Sequence, residues 1–271
     1  MVGSVNTNIG AQIALQNLNI TGTDLSTVQK RISTGLRVSD ALDNGAVFAI
    51  AQGLRSDVSA FSTVNGQLGA AKGLLSVANA AGTGVSNTLA DIRSVLAQLA
   101  DQNVTGNARA QLNAQYATLK TAVNNYISGA TYNGTNLLSA GSSNKAVIQD
   151  ISANQYTLAA QDLNTNVTTA LTSVSDATGA ASLLTGGFVS AQNFVGTALN
   201  SIAANTKFLD NQITFNNSIS DATTQGLGAL VDADLAKESA RLQSLQIKQQ
   251  LGTQSLGIAN QAPQTLLGLF R

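Results

Sequence analysis

Between Val64 and Leu99, apolar residues recur in alternating steps of four and three: Val64, Leu68, Ala71, Leu75, Ala78, Gly82, Val85, Leu89, Ile92, Leu96 and Leu99. Only Gly82 departs from apolar character, and no proline interrupts the run. A seam repeating about every 3.5 residues stays on one side of an α-helix and needs a partner helix to cover it. Leu54, Val58 and Phe61 carry the stripe backwards. The pattern predicts a helix of about 45 residues, roughly 70 Å long. Globular helices usually run about 8 to 20 residues. So long a helix in a chain of 271 residues points to a rod and not to a compact enzyme.

The N-terminal segment carries a thinner heptad: Ala11, Ala14, Leu18, Thr21, Leu25, Val28 and Ile32, with N-cap candidates at Asn6, Thr7 and Asn8. So thin a stripe is marginal alone and orders best against partners. Gly35 closes that helix. Ser39, Asp40, Asp43, Asn44 and Gly45 then form a cluster of turn and cap formers, read as a structured connector into the long helix.

After Leu99, the polar group Asp101 to Asn107 marks a turn. A shorter helix follows, with Leu112, Tyr116, Leu119, Val123 and Tyr126 or Ile127 on one face, expected to fold back antiparallel. Asn133-Gly134 is a hairpin-turn signal. Residues 145 to 160 read as a small hairpin, with Val147, Ile148 and Ile151 before a polar break and Tyr156 and Leu158 beyond it. Residues 164 to 187, rich in Thr, Ser, Asn, Ala and Gly, read as a surface-exposed connector. A further helix is expected from about Phe188 to Thr223, carrying Val195, Leu199, Ile202, Leu209 and Ile213. The 4-3 spacing resumes at Val231, Leu235, Leu242, Leu245, Gly252, Leu256 and Ala259, with Glu238 and Gln249 as polar exceptions. Beyond Pro263, Leu266, Leu267, Leu269 and Phe270 form an apolar tail of the kind that marks an assembly contact.

Composition narrows the chemistry. Hydrophobic residues make up 44% but aromatics only 4%, so the core is built from Ala, Leu, Val and Ile. That supply suits thin seams between helices. Formal net charge is zero and charged residues are 10%, which leaves no basic excess for nucleic acid. With no Cys or His, zinc, haem and iron–sulfur sites lose their usual ligands, and no cofactor is expected. Ser–His and Cys–His catalysis is excluded, and Glu238 is the only glutamate, so no enzyme is expected. The N-terminal stretch lacks a basic n-region and a continuous apolar h-region, so it does not read as a secretory signal. No run is long enough to span a membrane.

The wording of both ends resembles bacterial flagellin. At the N-terminus the matching residues are Val5-Asn6-Thr7-Asn8, Gln16-Asn17-Leu18-Asn19, Ile32-Ser33-Thr34-Gly35-Leu36-Arg37 and Ser39-Asp40-Ala41. At the C-terminus they are Asp232-Ala233-Asp234, Gln249-Gln250-Leu251-Gly252-Thr253 and Ala259-Asn260-Gln261-Ala262-Pro263-Gln264, then Leu266-Leu267 and Arg271. The resemblance covers roughly residues 1 to 140 and 188 to 271, and implies a short form lacking large outer domains.

It further implies a mainly α fold: a long antiparallel, coiled-coil-like helical rod with a small β-hairpin region and both termini at one end. Residues 1–35 and 229–271 would be the two halves of an inner-tube domain, and 36–46 a connector. Residues 47–140 and 188–228 would be the two halves of a rod domain, and 141–187 the outward-facing segment. The function implied is a structural subunit that self-assembles into the flagellar filament for swimming motility. A hook–filament junction or cap protein of the same apparatus is the alternative. Expected partners are other copies of the chain, alone or with other flagellins, an export chaperone, the type III export apparatus, and hook-associated and cap proteins. Nucleic acid and membrane insertion are not expected. The location implied is the extracellular flagellar filament, reached by secretion.

Expected self-assembly residues are Leu18, Leu25, Val28, Ile32, Leu235, Leu242, Leu245, Leu256, Leu266, Leu267 and Phe270. The expected rod seam is Leu68, Leu75, Val85, Leu89, Ile92 and Leu96. Many flagellins present an innate immune receptor with an Arg, a Leu and a Glu, where this chain has Asp91, Val95 and Gln115. Charge reversal, a shortened apolar group and a lost carboxylate each weaken such contacts. Flagellins of this kind are often O-glycosylated, which makes Thr165, Thr168, Thr169, Thr172, Ser173, Ser175, Thr178, Ser182 and Thr185 candidate acceptors.

Overall fold

A computed structural model describes residues 7–268, with side chains described to residue 261. Among them are seven α-helices and two small antiparallel hairpins: α1 (Ile9–Thr34), α2 (Ala41–Leu99), α3 (Gly106–Gly129), β1 (Thr131–Tyr132), β2 (Thr135–Asn136), β3 (Lys145–Ile148), β4 (Gln155–Leu158), α4 (Leu163–Ala170), α5 (Ala177–Thr185), α6 (Gly187–Val231) and α7 (Leu235–Gly268). The chain forms two compact units, one of residues up to Ser56 and from Asp221 onward, the other of Asp57–Ser220.

In the Asp57–Ser220 unit, every position of the 4-3 seam from Val64 to Leu99 is buried. Antiparallel α6 lies on one side, as the contacts Asn65–Asn217, Lys72–Asp210 and Gly82–Leu199 require. Gly82, the seam's exception, is a close-approach site: a Cβ there would lie 2.8 Å from Leu199 Cδ2. α3 returns antiparallel on another side and buries Tyr116, Val123 and Ile127, while Tyr126 packs over Gly84.

Asn133 (φ 47°) and Gly134 (φ 74°) make the positive-φ pair of a type I′ turn between β1 and β2. β3 and β4 pair from Lys145↔Leu158 to Ile148↔Gln155. Tyr156 stacks on Phe208 with ring centroids 3.9 Å apart, which seats β4 on α6. The hairpin turn is held by a carboxamide cluster: the Gln149 carbonyl accepts from Gln212 Nε2 (3.2 Å) and Asn216 Nδ2 (3.0 Å). Asn216, 1% exposed, also donates to Asn65 Oδ1 at 3.1 Å.

The stretch 164–187 differs from the exposed connector expected of it. It holds α4 and α5, capped by Asp162 and Asp176, and buries Leu163, Val167, Leu171, Ala180 and Leu183 in the same core. Few apolar residues suffice because each helix is only two turns long and shows one face inward.

In the other unit, α1 starts at the N-cap Asn8 and ends at Gly35 in the left-handed region (φ 71°). The chain then makes a short antiparallel clasp. Arg37 N–H donates to the Val231 carbonyl at 2.6 Å, and Ala233 N–H to the Gly35 carbonyl at 2.9 Å. A small core of Val38, Ala51 and Val231 closes around it.

The connector is structured. The Asp43 carboxylate accepts from the Ser39 N–H and hydroxyl (both 2.9 Å), and Lys30 Nζ reaches Asp40 (2.6 Å) and Asp43. Asn44, extended at φ −166°, interrupts α2 and caps its long part by accepting from Val47 N–H at 3.1 Å.

The Ser39 N–H and hydroxyl, with Lys30, hold Asp43 well below the ordinary carboxylate range, and Lys30 chiefly holds Asp40 low. The two carboxylates in turn raise Lys30. The turn's contribution to stability is therefore complete above the ordinary carboxylate pKa and is lost as pH falls through the lowered values. Lysine's share persists until pH rises through its raised value. In an NMR titration, the Asp43 carboxyl signal is expected to stay still down to about pH 3, where an unperturbed aspartate is mostly protonated. A midpoint near 4 would show the turn open.

Candidate assembly interface

α1 and α7 form an antiparallel pair whose register is pinned at four points. Asn8 Nδ2 donates to the Ala259 carbonyl at 2.6 Å, Leu18 packs on Gly252, Arg241 lies 3.9 Å from Asp24, and Arg31 Nη1 pairs with Glu238 Oε1 at 3.2 Å. Glu238, the polar exception of its heptad, is 8% exposed. A partly buried ion pair adds little net stability but disfavours a slipped register, which would separate the two charges.

The sequence-derived self-assembly residues mostly face each other across this pair. Val28 and Leu245 are buried, and Leu18, Leu25, Ile32, Leu242 and Leu256 are half-buried. Leu235 stands apart at 49% exposure. The side chains of Leu266 and Leu267, and all of Phe270, lie outside the described residues.

A second stripe was not picked out from the sequence. Ile9, Ile13 and Ile20 on α1, and Ile247, Leu251 and Ile258 on α7, are all more than half exposed. Both sets step by four and then seven, so each lies along one helix face. That repeat is visible in the residues themselves, beside the inward heptads on the same helices. Three large aliphatic groups facing solvent on each of two helices form two apolar stripes, the mark of partner sites.

Elsewhere, Leu68, Leu75, Val85, Leu89, Ile92 and Leu96 meet in the core of the Asp57–Ser220 unit. Asp91 and Gln115 are exposed, whereas Val95 is buried in that core and is not presented at the surface. All the candidate acceptors from Thr165 to Thr185 are exposed except Thr168, whose hydroxyl donates back to the Asn164 carbonyl. Among the described residues, no cluster of three His, Cys, Asp or Glu could hold a metal ion. No described helix is long and apolar enough to cross a membrane.

These features coincide with known proteins. Residues 5–144 match the family model of the bacterial flagellin N-terminal helical region, and residues 166–270 that of the C-terminal helical region. Flagellin FljJ of Caulobacter vibrioides is 38% identical over 281 residues, covering 100% of this chain and 99% of its own. Flagellin FljK of the same organism is 34% identical over 271 residues with the same coverage. A flagellin of Brucella melitensis is 33% identical over 288 residues, covering both chains completely. In fold, the chain is similar to a crystal structure of Bacillus cereus flagellin, with TM-score 0.51 and 22% identity over 54% of this chain and 86% of that one. The chain belongs to the bacterial flagellin family, in a short form, and is a self-assembling structural subunit of the flagellar filament.

Proposed function

We propose that the α1–α7 pair is the part of this subunit through which copies pack into the filament's inner tube. The observation that carries this is the pair of exposed stripes, Ile9, Ile13 and Ile20 on α1 and Ile247, Leu251 and Ile258 on α7. Leu18, Leu25, Val28, Ile32, Leu235, Leu242, Leu245 and Leu256 act with it by holding the two helices in register. Leu266, Leu267 and Phe270 extend the contact at the C-terminal end. Family membership supports the rest of the reading. The subunit leaves the cell through the type III apparatus, escorted by an export chaperone, and joins a filament bounded by hook-associated and cap proteins, alone or with other flagellins. Rod residues 47–140 and 188–228 form the layer outside the tube.

Burying one large aliphatic side chain contributes about 1.5–3 kcal/mol, and a factor of ten in an equilibrium constant is about 1.4 kcal/mol. Ile258→Asp is therefore expected to raise the critical concentration for polymerisation by at least about tenfold, while the monomer's melting temperature stays put. Sedimentation of polymerised protein measures the first and circular dichroism the second. Polymerisation at the wild-type concentration would remove the stripe from the interface.

The exposed hydroxyls between Thr165 and Thr185 are proposed as O-glycan acceptors on the outward-facing segment 141–187. Intact mass spectrometry of native filaments is expected to exceed the polypeptide mass of 27.6 kDa, and a bare-chain mass ends the proposal.

A further inference from the structure

β3 is an edge strand. β4 pairs with one side of it, and no strand among the described residues pairs with the other. The turn shows which groups face the free side. Gln149 N–H donates to the Asn154 carbonyl at 2.9 Å, so this is a hydrogen-bonded pair. Antiparallel alternation then makes Val147↔Tyr156 and Lys145↔Leu158 the other bonded pairs. The N–H and C=O groups of Ala146 and Ile148 therefore point away from β4.

That free edge borders a cleft of about 480 Å³. All four residues of β3 line it. Side chains on a strand alternate between faces, so a cavity that touches all four runs along the strand, and Gln155 of β4, opposite Ile148, closes its end. Ala70, Ala71 and Leu74 of α2 line the cleft as its apolar side, and Tyr132 and Thr135 of the first hairpin bound it too. Main-chain donors and acceptors along one wall, with small apolar groups beside them, are what strand addition requires.

We propose that this cleft accepts an extended main-chain segment from a second copy of the chain, added as a third strand beside β3. The proposal rests on the self-assembly reading above. A filament grows through heterologous contacts, in which one surface of a subunit meets a different surface of the next and the rotation does not close. A one-sided acceptor edge is such a surface. Left open in a crowded assembly, it invites uncontrolled pairing. Lys145 stands exposed at the rim, and no acidic residue lines the cleft, so a carboxylate on the incoming segment would meet an unopposed cation there.

Amide hydrogen exchange on monomer and filament tests this directly. The Ala146 and Ile148 amides are expected to exchange quickly in the monomer and at least about a hundredfold more slowly in the filament. Those of Lys145 and Val147 should be protected in both. A second arm uses Ala146→Pro, which removes an outward donor without touching the β4 ladder, a position edge strands tolerate. It is expected to melt like the wild-type monomer and to need at least about tenfold more protein to polymerise. Slow exchange at 146 and 148 already in the monomer means that the chain closes its own edge, and overturns the proposal. So does fast exchange in the filament. Protection with normal growth of Ala146→Pro means side-chain burial without strand addition, and overturns it as well. An unmodified chain that never polymerises overturns the assembly reading itself, a result distinct from the others.

Discussion

Leu89→Asp is expected to abolish the cooperative thermal unfolding of the Asp57–Ser220 unit in the soluble monomer. Leu89 is 2% exposed at the middle of the α2 seam. Truncating a buried leucine alone costs about 2–5 kcal/mol. Aspartate adds a charge with no partner, because the neighbouring seam positions Val85 and Ile92 are apolar and buried as well. A domain of this size has only about 5–15 kcal/mol to lose. The same substitution at half-exposed Leu235 should leave the transition in place. Circular dichroism melting of both variants decides it. A Leu89→Asp midpoint within a few degrees of wild type would show that the seam is not packed as described.

Removing residues 236–271 is expected to eliminate filament growth altogether while the Asp57–Ser220 unit stays folded. That unit draws its core from α2 to α6 and uses nothing from α7. The loss of helix should exceed the deleted segment. α1, of 26 residues, packs against α7, and an isolated amphipathic helix with a thin stripe is marginal in water. Circular dichroism should therefore report most of α1 lost along with α7. Negative-stain images should show no filaments at any concentration. Normal-length filaments would place the assembly surface elsewhere.

The long seam could be read from residues because its period holds over ten turns and nothing breaks it. Gly82 looked like a flaw, since its reason, Leu199 pressed against a bare Cα, belongs to another helix. Asn133-Gly134 announced its hairpin because few other residue pairs accept two positive φ angles in succession. The segment 164–187 was harder. α4 and α5 each signal themselves by an apolar pair, Leu163 with Val167 and Ala180 with Leu183, within a background of Thr and Ser that also makes good loops. At the ends, a single helix carries two apolar stripes, and only the partner's position tells which one faces inward. Ile13 and Ile20 read as strongly as Leu18 and Leu25 until α7 is placed. Val95 shows the same limit, since substitution at an aligned position does not reveal that the side chain has turned into a core.

The carboxamide cluster of Asn65, Gln212, Asn216 and the Gln149 carbonyl has a consequence for where such a subunit can work. Ion pairs at a surface weaken as the screening length shrinks, from about 30 Å in dilute water to about 3 Å in concentrated brine. Amides carry no net charge to screen and no proton to lose. A subunit with only 10% charged residues, whose α2–α6 register is held by neutral dipoles beside the single Lys72–Asp210 pair, should change little in melting temperature between fresh water and sea water. An appendage exposed directly to its surroundings cannot buffer them, and neutral polar contacts make its α2–α6 packing less dependent on their salinity.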